Sequence, residues 1–130
     1  MKIAVMPGDG VGKEVVAQGL KVLKVASQRF GFTYDTTDYP FGAEYYLQTK
    51  ITLPDSALKE LAEHDAILFG AVGADPRGNA LIPQGLIETD ILLRMRFELD
   101  QYINLRPNVL AYSKAKRIAR STPCRVVTSI

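Results

Sequence analysis

Two short apolar runs, each followed by a glycine-rich turn, constrain the fold of this chain most strongly. Residues 2–6 (Lys-Ile-Ala-Val-Met) and residues 65–70 (Asp-Ala-Ile-Leu-Phe-Gly) have the length and composition of buried strands. Longer segments with helical spacing alternate with them, in the order strand, helix, strand, helix, strand. This order predicts an α/β fold with a largely parallel sheet.

The helical segments have recognisable ends. The first begins after Gly12, and Gly31 is placed to end it. A Thr- and Tyr-rich edge strand is predicted within residues 32–39 and a short helix over 43–48. A third helix opens at Pro54 with Asp55 or Ser56 as its cap, and a fourth spans 85–99 before a strand at 102–105. The apolar face of the first helix is predicted to contain Val15, Val16, Gly19, Leu20, Val22, Leu23, Ala26 and Phe30.

Composition places few limits on function beyond those of an ordinary globular domain. The chain has 130 residues, 47% of them hydrophobic and 23% charged, which predicts a single domain. It has one cysteine, Cys124, and no apolar run of the length that a membrane helix needs. We therefore expect a cytoplasmic protein without a membrane partner.

The charge is distributed unevenly along the chain. Residues 101–130 contain six of the sixteen Lys and Arg and none of the fourteen Asp and Glu. A basic tail can bind nucleic acid, but this one has no interleaved aromatic residues on which bases would stack. We therefore predict no nucleic-acid partner.

The glycine loop Gly8-Asp9-Gly10-Val11-Gly12 matches neither of two common nucleotide motifs. A dinucleotide fingerprint needs glycine where Lys13 stands, and a P-loop needs Ser or Thr where Glu14 stands. Glycines between a strand and a helix permit close backbone approach, and a helix N-terminus favours an anion. An anion site and a purely structural turn both fit this loop.

Arginines and leucines in the last helical segment suggest a site for an acid. Leu92, Leu93 and Arg96 are spaced to share a helix face, and Arg106 follows ten residues later. A guanidinium pairs with a carboxylate through two parallel hydrogen bonds. The pattern fits a binding site for a small acid with two carboxylates and an apolar group. It fits equally well arginines that are exposed at the surface or paired in salt bridges.

Residues 93–107 (Leu-Arg-Met-Arg-Phe-Glu-Leu-Asp-Gln-Tyr-Ile-Asn-Leu-Arg-Pro) and residues 7–14 (Pro-Gly-Asp-Gly-Val-Gly-Lys-Glu) resemble segments of the isocitrate/3-isopropylmalate dehydrogenase family. The resemblance is nearest to the isopropylmalate and tartrate branches. It implies part of an isopropylmalate dehydrogenase-like fold. It also implies that Arg96 and Arg106 bind the substrate carboxylates, and that Leu92 and Leu93 shape the pocket for the substrate's side group.

The resemblance also implies cofactors. The family uses NAD and Mg²⁺ or Mn²⁺, and its members form homodimers. The residues expected to border the NAD site are Val11, Thr52, Leu53, Gly70, Gly73 and Glu88. The family's catalytic tyrosine and lysine and its metal-binding aspartates have no counterpart in this sequence, so no catalytic or metal-binding residue is predicted here.

The resemblance extends over residues 1–107 and leaves 108–130 as a divergent basic tail. It implies NAD- and metal-dependent oxidation, with decarboxylation, of a 2-hydroxy dicarboxylic acid such as 3-isopropylmalate. We expect the chain to be a fragment that is inactive alone. Two alternatives remain: the tartrate/malate branch, which Lys13 and residues 100–102 resemble, and a fragment that only binds a ligand or partner.

Overall fold

The computed structural model describes residues 1–74, 81–101 and 103–105, which form a three-stranded parallel sheet flanked by helices. This arrangement confirms the predicted α/β class. The strands are β1 (Lys2–Gly8), β2 (Asp35–Asp38) and β3 (Ala66–Ala71). The helices are α1 (Val11–Phe30), α2 (Ala43–Thr49), α3 (Asp55–Ala62) and α4 (Arg94–Glu98), and a π-helical segment, Glu88–Leu93, leads directly into α4.

The first strand lies in the middle of the sheet, in the order β2-β1-β3. Ile3 is opposite Thr36 of β2 on one side and Ala66 of β3 on the other. The chain passes from β1 through α1 to β2, and then through α2 and α3 to the opposite side of β1. The carboxyl ends of β1 and β3 therefore border a point where the strand order reverses, the usual place for a ligand in such sheets.

Alternation along β1 divides the core between the two faces of the sheet. Ile3 and Val5 pack with Val16 of α1 on one face. Ala4 and Met6 pack on the other face, in a cluster that includes residues of α2, α3 and the π-helical segment. Both faces of the central strand are therefore covered, as a parallel sheet requires.

The predicted C-terminal end of α1 agrees with the structure, whereas its predicted apolar face agrees only in part. Gly31 adopts the left-handed conformation and donates its N–H to the Ser27 carbonyl, which confirms it as the end of the helix. Val16 is buried, but Val15 and Phe30 are 58% and 74% exposed. The predicted apolar face is therefore wrong in part, since apolar residues occur on both sides of this helix.

Two predictions about helices are corrected by the structure. The fourth helix contains a π-helical segment rather than forming one α-helix. The N-cap of α3 is Pro54, whose side chain has no polar group, and Asp55 is the first residue of the helix, with its carboxylate bonded to Arg94.

No helix among the described residues is both long and apolar enough to cross a membrane.

The predicted strand at 102–105 is not found over residues 103–105, where the chain has no regular structure. Asp100 has a φ of +53°, which turns the chain as it leaves α4. Among the described residues, this segment has no neighbouring strand with which to pair. Tyr102 itself lies outside the described residues.

Candidate functional site

The loops that follow β1 and β3 are in direct contact at the carboxyl edge of the sheet. The Asp9 amide donates a hydrogen bond to the Ala71 carbonyl oxygen over 2.7 Å. A Cβ on Gly8 would lie 2.1 Å from that same oxygen, and a Cβ on Gly12 would lie 2.6 Å from the Ala71 nitrogen. Glycine is therefore required here because the two backbones approach too closely for a side chain.

The Asp9 carboxylate joins three segments of the chain at this point. It accepts hydrogen bonds from the backbone N–H groups of Ala43, Glu44 and Gly73, with nitrogen–oxygen distances of 2.8, 3.2 and 3.3 Å. Sequence reasoning assigned no role to Asp9. The one local signal for Asp9 in the sequence is its place between two glycines. Its contacts leave no local signal, because its partners are 34 to 64 residues away along the chain.

Two of the predicted cofactor residues, Gly73 and Glu88, are brought together. A Cβ on Gly73 would lie 3.0 Å from Oε1 of Glu88, and both residues are half-buried. Val11 begins α1 beside the same junction and is 62% exposed. The structure thus brings Gly73 and Glu88 into contact and leaves Val11 exposed at the start of α1.

The predicted residues Thr52 and Leu53 are held against the helix that begins at Glu88. The Thr52 hydroxyl donates to Oδ2 of Asp90 over 3.2 Å, and Nη1 of Arg94 donates to the Leu53 carbonyl over 2.8 Å. The Leu53 side chain is 2% exposed and packs in the core, so this side chain is not available to a ligand. A role for Leu53 at the cofactor site, limited to its backbone, stays a prediction.

Gly70 has a structural reason for being glycine. A Cβ at this position would lie 2.1 Å from the Pro7 carbonyl oxygen and 3.0 Å from Cγ2 of Val16. Gly70 therefore permits β1, β3 and α1 to pack closely. A direct contact of Gly70 with a cofactor remains a prediction.

The arginines of α4 differ in their surroundings. Arg94 is bonded to the Leu53 carbonyl and to the Asp55 carboxylate. The Arg96 side chain is half-buried, and no hydrogen-bond or ion-pair partner for it is found within the described part of the chain. Leu92 and Leu93 are 38% and 41% exposed. Arg106, the second predicted carboxylate ligand, lies outside the described residues.

No group of three His, Cys, Asp or Glu side chains that could hold a metal ion is present among residues 1–74, 81–101 and 103–105. The divalent cation that the resemblance implies therefore has no fitting site in this part of the chain. Lys13, which the resemblance relates to the tartrate branch, pairs with Glu44 through an Nζ–Oε2 distance of 2.6 Å. The lysine thus links α1 to α2 at the rim of the site.

A parallel α/β sheet with two glycine loops meeting at its reversal point is typical of the doubly wound class of folds. The family model for isocitrate/isopropylmalate dehydrogenase matches residues 2–128. The chain belongs to this family, which confirms the family predicted from the sequence.

Relatives and solved structures agree with that assignment. The 3-isopropylmalate dehydrogenase of Thermobifida fusca is 52% identical over 107 residues, which are 82% of this chain and 29% of that protein. The enzyme of the same name from Clavibacter sepedonicus is 50% identical over 119 residues, 92% of this chain and 33% of that protein. The chain therefore spans about a third of the length of the curated relatives it matches.

Two crystal structures have a similar fold. A beta-decarboxylating dehydrogenase from Thermococcus kodakarensis, in its apo form, has a TM-score of 0.58 and 27% identity, covering 82% of this chain and 30% of that one. The isocitrate dehydrogenase of Methylococcus capsulatus has a TM-score of 0.63 and 22% identity, covering 83% of this chain and 28% of that one. At this identity the second likeness concerns the fold alone.

Proposed function

We propose that this chain supplies the nicotinamide- and substrate-facing part of a dehydrogenase that oxidises and decarboxylates 3-isopropylmalate with NAD and a divalent metal. The observation that carries the proposal is Arg96 of α4, which is half-buried and has no side-chain partner among the described residues. The names of the relatives that are 50% and 52% identical support the choice of substrate.

In this proposal Arg96 holds one carboxylate of the substrate. Among the described residues its side chain has no partner, so its guanidinium can form two parallel charge-assisted hydrogen bonds, whereas that of Arg94 already bonds the Leu53 carbonyl and the Asp55 carboxylate. Leu92 and Leu93, one turn earlier and partly exposed, give the apolar side group a surface to contact. The role of Arg106 as the second carboxylate ligand is part of the same proposal.

Val11, Gly73 and Glu88 are proposed to hold the nicotinamide end of NAD, with Thr52 on the neighbouring loop. Gly73 leaves space beside the Glu88 carboxylate that a Cβ would occupy. When bound, NAD⁺ takes up the hydride that the hydroxy acid loses on oxidation. The described residues contain no group of side chains that could hold the divalent metal.

The tartrate/malate alternative is based on Lys13 and residues 100–102 of the sequence. Nζ of Lys13 is bonded to Glu44, so this lysine is already paired. A chain that binds a ligand without turnover is a second alternative. Binding of a dicarboxylate without NADH formation is the result that distinguishes it.

A chimera tests the proposal. Residues 1–107 replace the matching segment of the Thermobifida fusca 3-isopropylmalate dehydrogenase, and NADH formation is followed with isopropylmalate, malate and tartrate in the presence of Mn²⁺. We expect turnover that is fastest with isopropylmalate. A folded chimera that makes no NADH, or that prefers tartrate, contradicts the proposal.

The Arg96→Lys variant of the chimera tests the assigned substrate contact. Lysine keeps the charge but loses the paired hydrogen bonds, so the KM for isopropylmalate is expected to rise roughly tenfold or more. Arg29→Lys, in the last turn of α1 and exposed, is the matched control. Equal KM values for isopropylmalate in the two variants would show that Arg96 does not bind the substrate.

A further inference from the structure

We propose that Asp9 is a positioning residue for the NAD site, because its carboxylate fixes the backbone of Gly73 against Glu88. The inference rests on the proposed function for the identity of the ligand. The connection between Asp9 and Gly73 stands on the geometry alone.

Both oxygens of the Asp9 carboxylate accept backbone hydrogen bonds. Oδ2 accepts from the amides of Ala43 and Gly73, and Oδ1 accepts from the amide of Glu44. The amide of Asp9 itself is bonded to the Ala71 carbonyl. One residue therefore connects the loop after β1 to the start of α2 and to the segment that follows β3.

Carboxylate chemistry suits this position for two reasons. An ionised aspartate has only acceptors, so both oxygens can face amide donors, whereas an asparagine would turn its NH₂ group toward one of them. The start of α2 also carries the partial positive charge of a helix N-terminus. Gly42 leaves the necessary space, since a Cβ there would lie 2.7 Å from both carboxylate oxygens.

The bond to Gly73 connects Asp9 to the ligand site. The third strand ends at Ala71, so Gly73 lies beyond the hydrogen bonding of the sheet. The Gly73 amide donates a hydrogen bond to the Asp9 carboxylate. On its other side Gly73 lies close to Glu88, since a Cβ on Gly73 would be 3.0 Å from Oε1 of Glu88. A shift of Gly73 therefore changes how closely its backbone approaches the Glu88 carboxylate, and the nicotinamide end of NAD is proposed to bind beside these two residues.

A purely structural role for Asp9 predicts a different result from a positioning role. If Asp9 only caps α2, its loss lowers stability and changes all kinetic constants together. If it positions Gly73, the loss falls on NAD binding, while the hydroxy acid, held by Arg96 on α4, is little affected. The two roles therefore separate in the KM values for the two substrates.

The kinetic test uses Asp9→Asn and Asp9→Ala in the chimera described above. We expect Asp9→Asn to raise the KM for NAD⁺ about tenfold, as for the loss of one hydrogen bond to a charged group, and Asp9→Ala to raise it further. The KM for isopropylmalate is expected to stay within about twofold. Equal increases in both KM values, or no change in either, would overturn the proposal.

A second variant alters the contact between Gly73 and Glu88 without altering the contacts of Asp9 with α2. Gly73→Ala places its Cβ beside Oε1 of Glu88, and the same selective increase in the KM for NAD⁺ is expected. Glu44→Gln is the control for α2, because it weakens the ion pair with Lys13 but keeps the backbone bond to Asp9. A selective NAD⁺ effect in Glu44→Gln would assign the result to α2 and overturn the proposal.

Amide hydrogen exchange in the full 130-residue chain separates this inference from the proposed function. We expect Asp9→Asn to speed exchange at Gly73 while the β1 amide of Val5 keeps its rate. Unchanged exchange at Gly73 overturns the inference whatever the chimera does. A chimera that makes no NADH, together with faster exchange at Gly73, overturns the proposed function and leaves Asp9 as the residue that positions this segment.

Discussion

At the residue scale, Gly8 and Gly31 have nearly the same positive φ angle in very different surroundings. Their φ angles are +72° and +70°, but a Cβ on Gly8 would lie 2.1 Å from the Ala71 carbonyl oxygen, whereas a Cβ on Gly31 would meet nothing within 4 Å. We expect Gly31→Ala to lower the free energy of unfolding by about 1 kcal/mol, because alanine disfavours the left-handed conformation. Gly8→Ala is expected to lower it by at least about 3 kcal/mol, because its Cβ would also clash with the Ala71 carbonyl. Urea unfolding of the two variants measures the difference, and equal losses would contradict the close approach of β1 and β3.

Tyr39 is the residue at which the structure predicts a pH dependence. Burial, together with the nearby carboxylate of Glu60 that accepts its hydroxyl over 3.3 Å, raises the pKa of Tyr39 above its ordinary value. The folded state therefore binds this proton more tightly than the unfolded state does. The corresponding stability is complete below the unfolded pKa of about 10 and is lost as the pH rises through the folded pKa.

Two substitutions test this assignment. The free energy of unfolding is measured at neutral pH and above pH 10 for the parent, Tyr39→Phe and Glu60→Gln. Tyr39→Phe is expected to flatten the decline at high pH, and Glu60→Gln to reduce it, since Glu60 contributes to the raised pKa. A decline of the same slope in all three proteins would assign the effect to other groups.

At the scale of elements, the π-helical segment Glu88–Leu93 is held to the loop before α3 by the Thr52–Asp90 hydrogen bond. Thr52→Val removes the hydroxyl while keeping the shape of the side chain. We expect it to cost about 0.5–1.5 kcal/mol, the usual range for such a bond. Thermal unfolding beside Thr36→Val, an exposed threonine of β2, provides the comparison, and a loss no larger than in that control would show that the bond adds nothing.

The same elements show how far a sequence can predict this fold. Strands β1 and β3 and the end of α1 at Gly31 were predictable because composition and a single glycine specify them locally. The π-helical segment was not, because the extra residue that it accommodates leaves the apolar spacing of Ile87, Ile91 and Met95 consistent with an ordinary α-helix. The cap of α3 was also missed, since Asp55 is engaged by Arg94, 39 residues away.

The candidate site also contains features that the sequence predicts and features that it does not. Arg96, Gly73 and Glu88 were predicted from the family resemblance, and the structure places Gly73 beside Glu88, while their roles stay predictions. The contacts of Asp9 were not predictable, because they depend on how α2 and the end of β3 meet the first loop. Long-range contacts of this kind leave no periodic signal in a single sequence.

At the scale of the whole molecule, the two outer strands of the described sheet differ in character. The edge strand β2 has the sequence Asp-Thr-Thr-Asp and is exposed throughout, as is typical of a protected edge. The other edge strand, β3, has the sequence Ala-Ile-Leu-Phe-Gly-Ala, which is typical of a strand with neighbours on both sides. Among the described residues, β3 has a partner on one side only. An apolar edge of this kind exposes backbone groups unless another segment or another chain pairs with it.

The last prediction concerns the isolated 130-residue chain, which we expect to associate as its concentration rises and to make no NADH with isopropylmalate, NAD⁺ and Mn²⁺. Association is expected through the edge of β3, because unpaired apolar strands pair with other chains. Ala66→Lys places a charge at an exposed position of β3 and should reduce association in sedimentation velocity. Thr36→Lys, exposed on β2, should leave it unchanged. Equal effects of the two lysines would show that the edge of β3 is not the contact, and NADH formation by the isolated chain would show that it contains a complete active site.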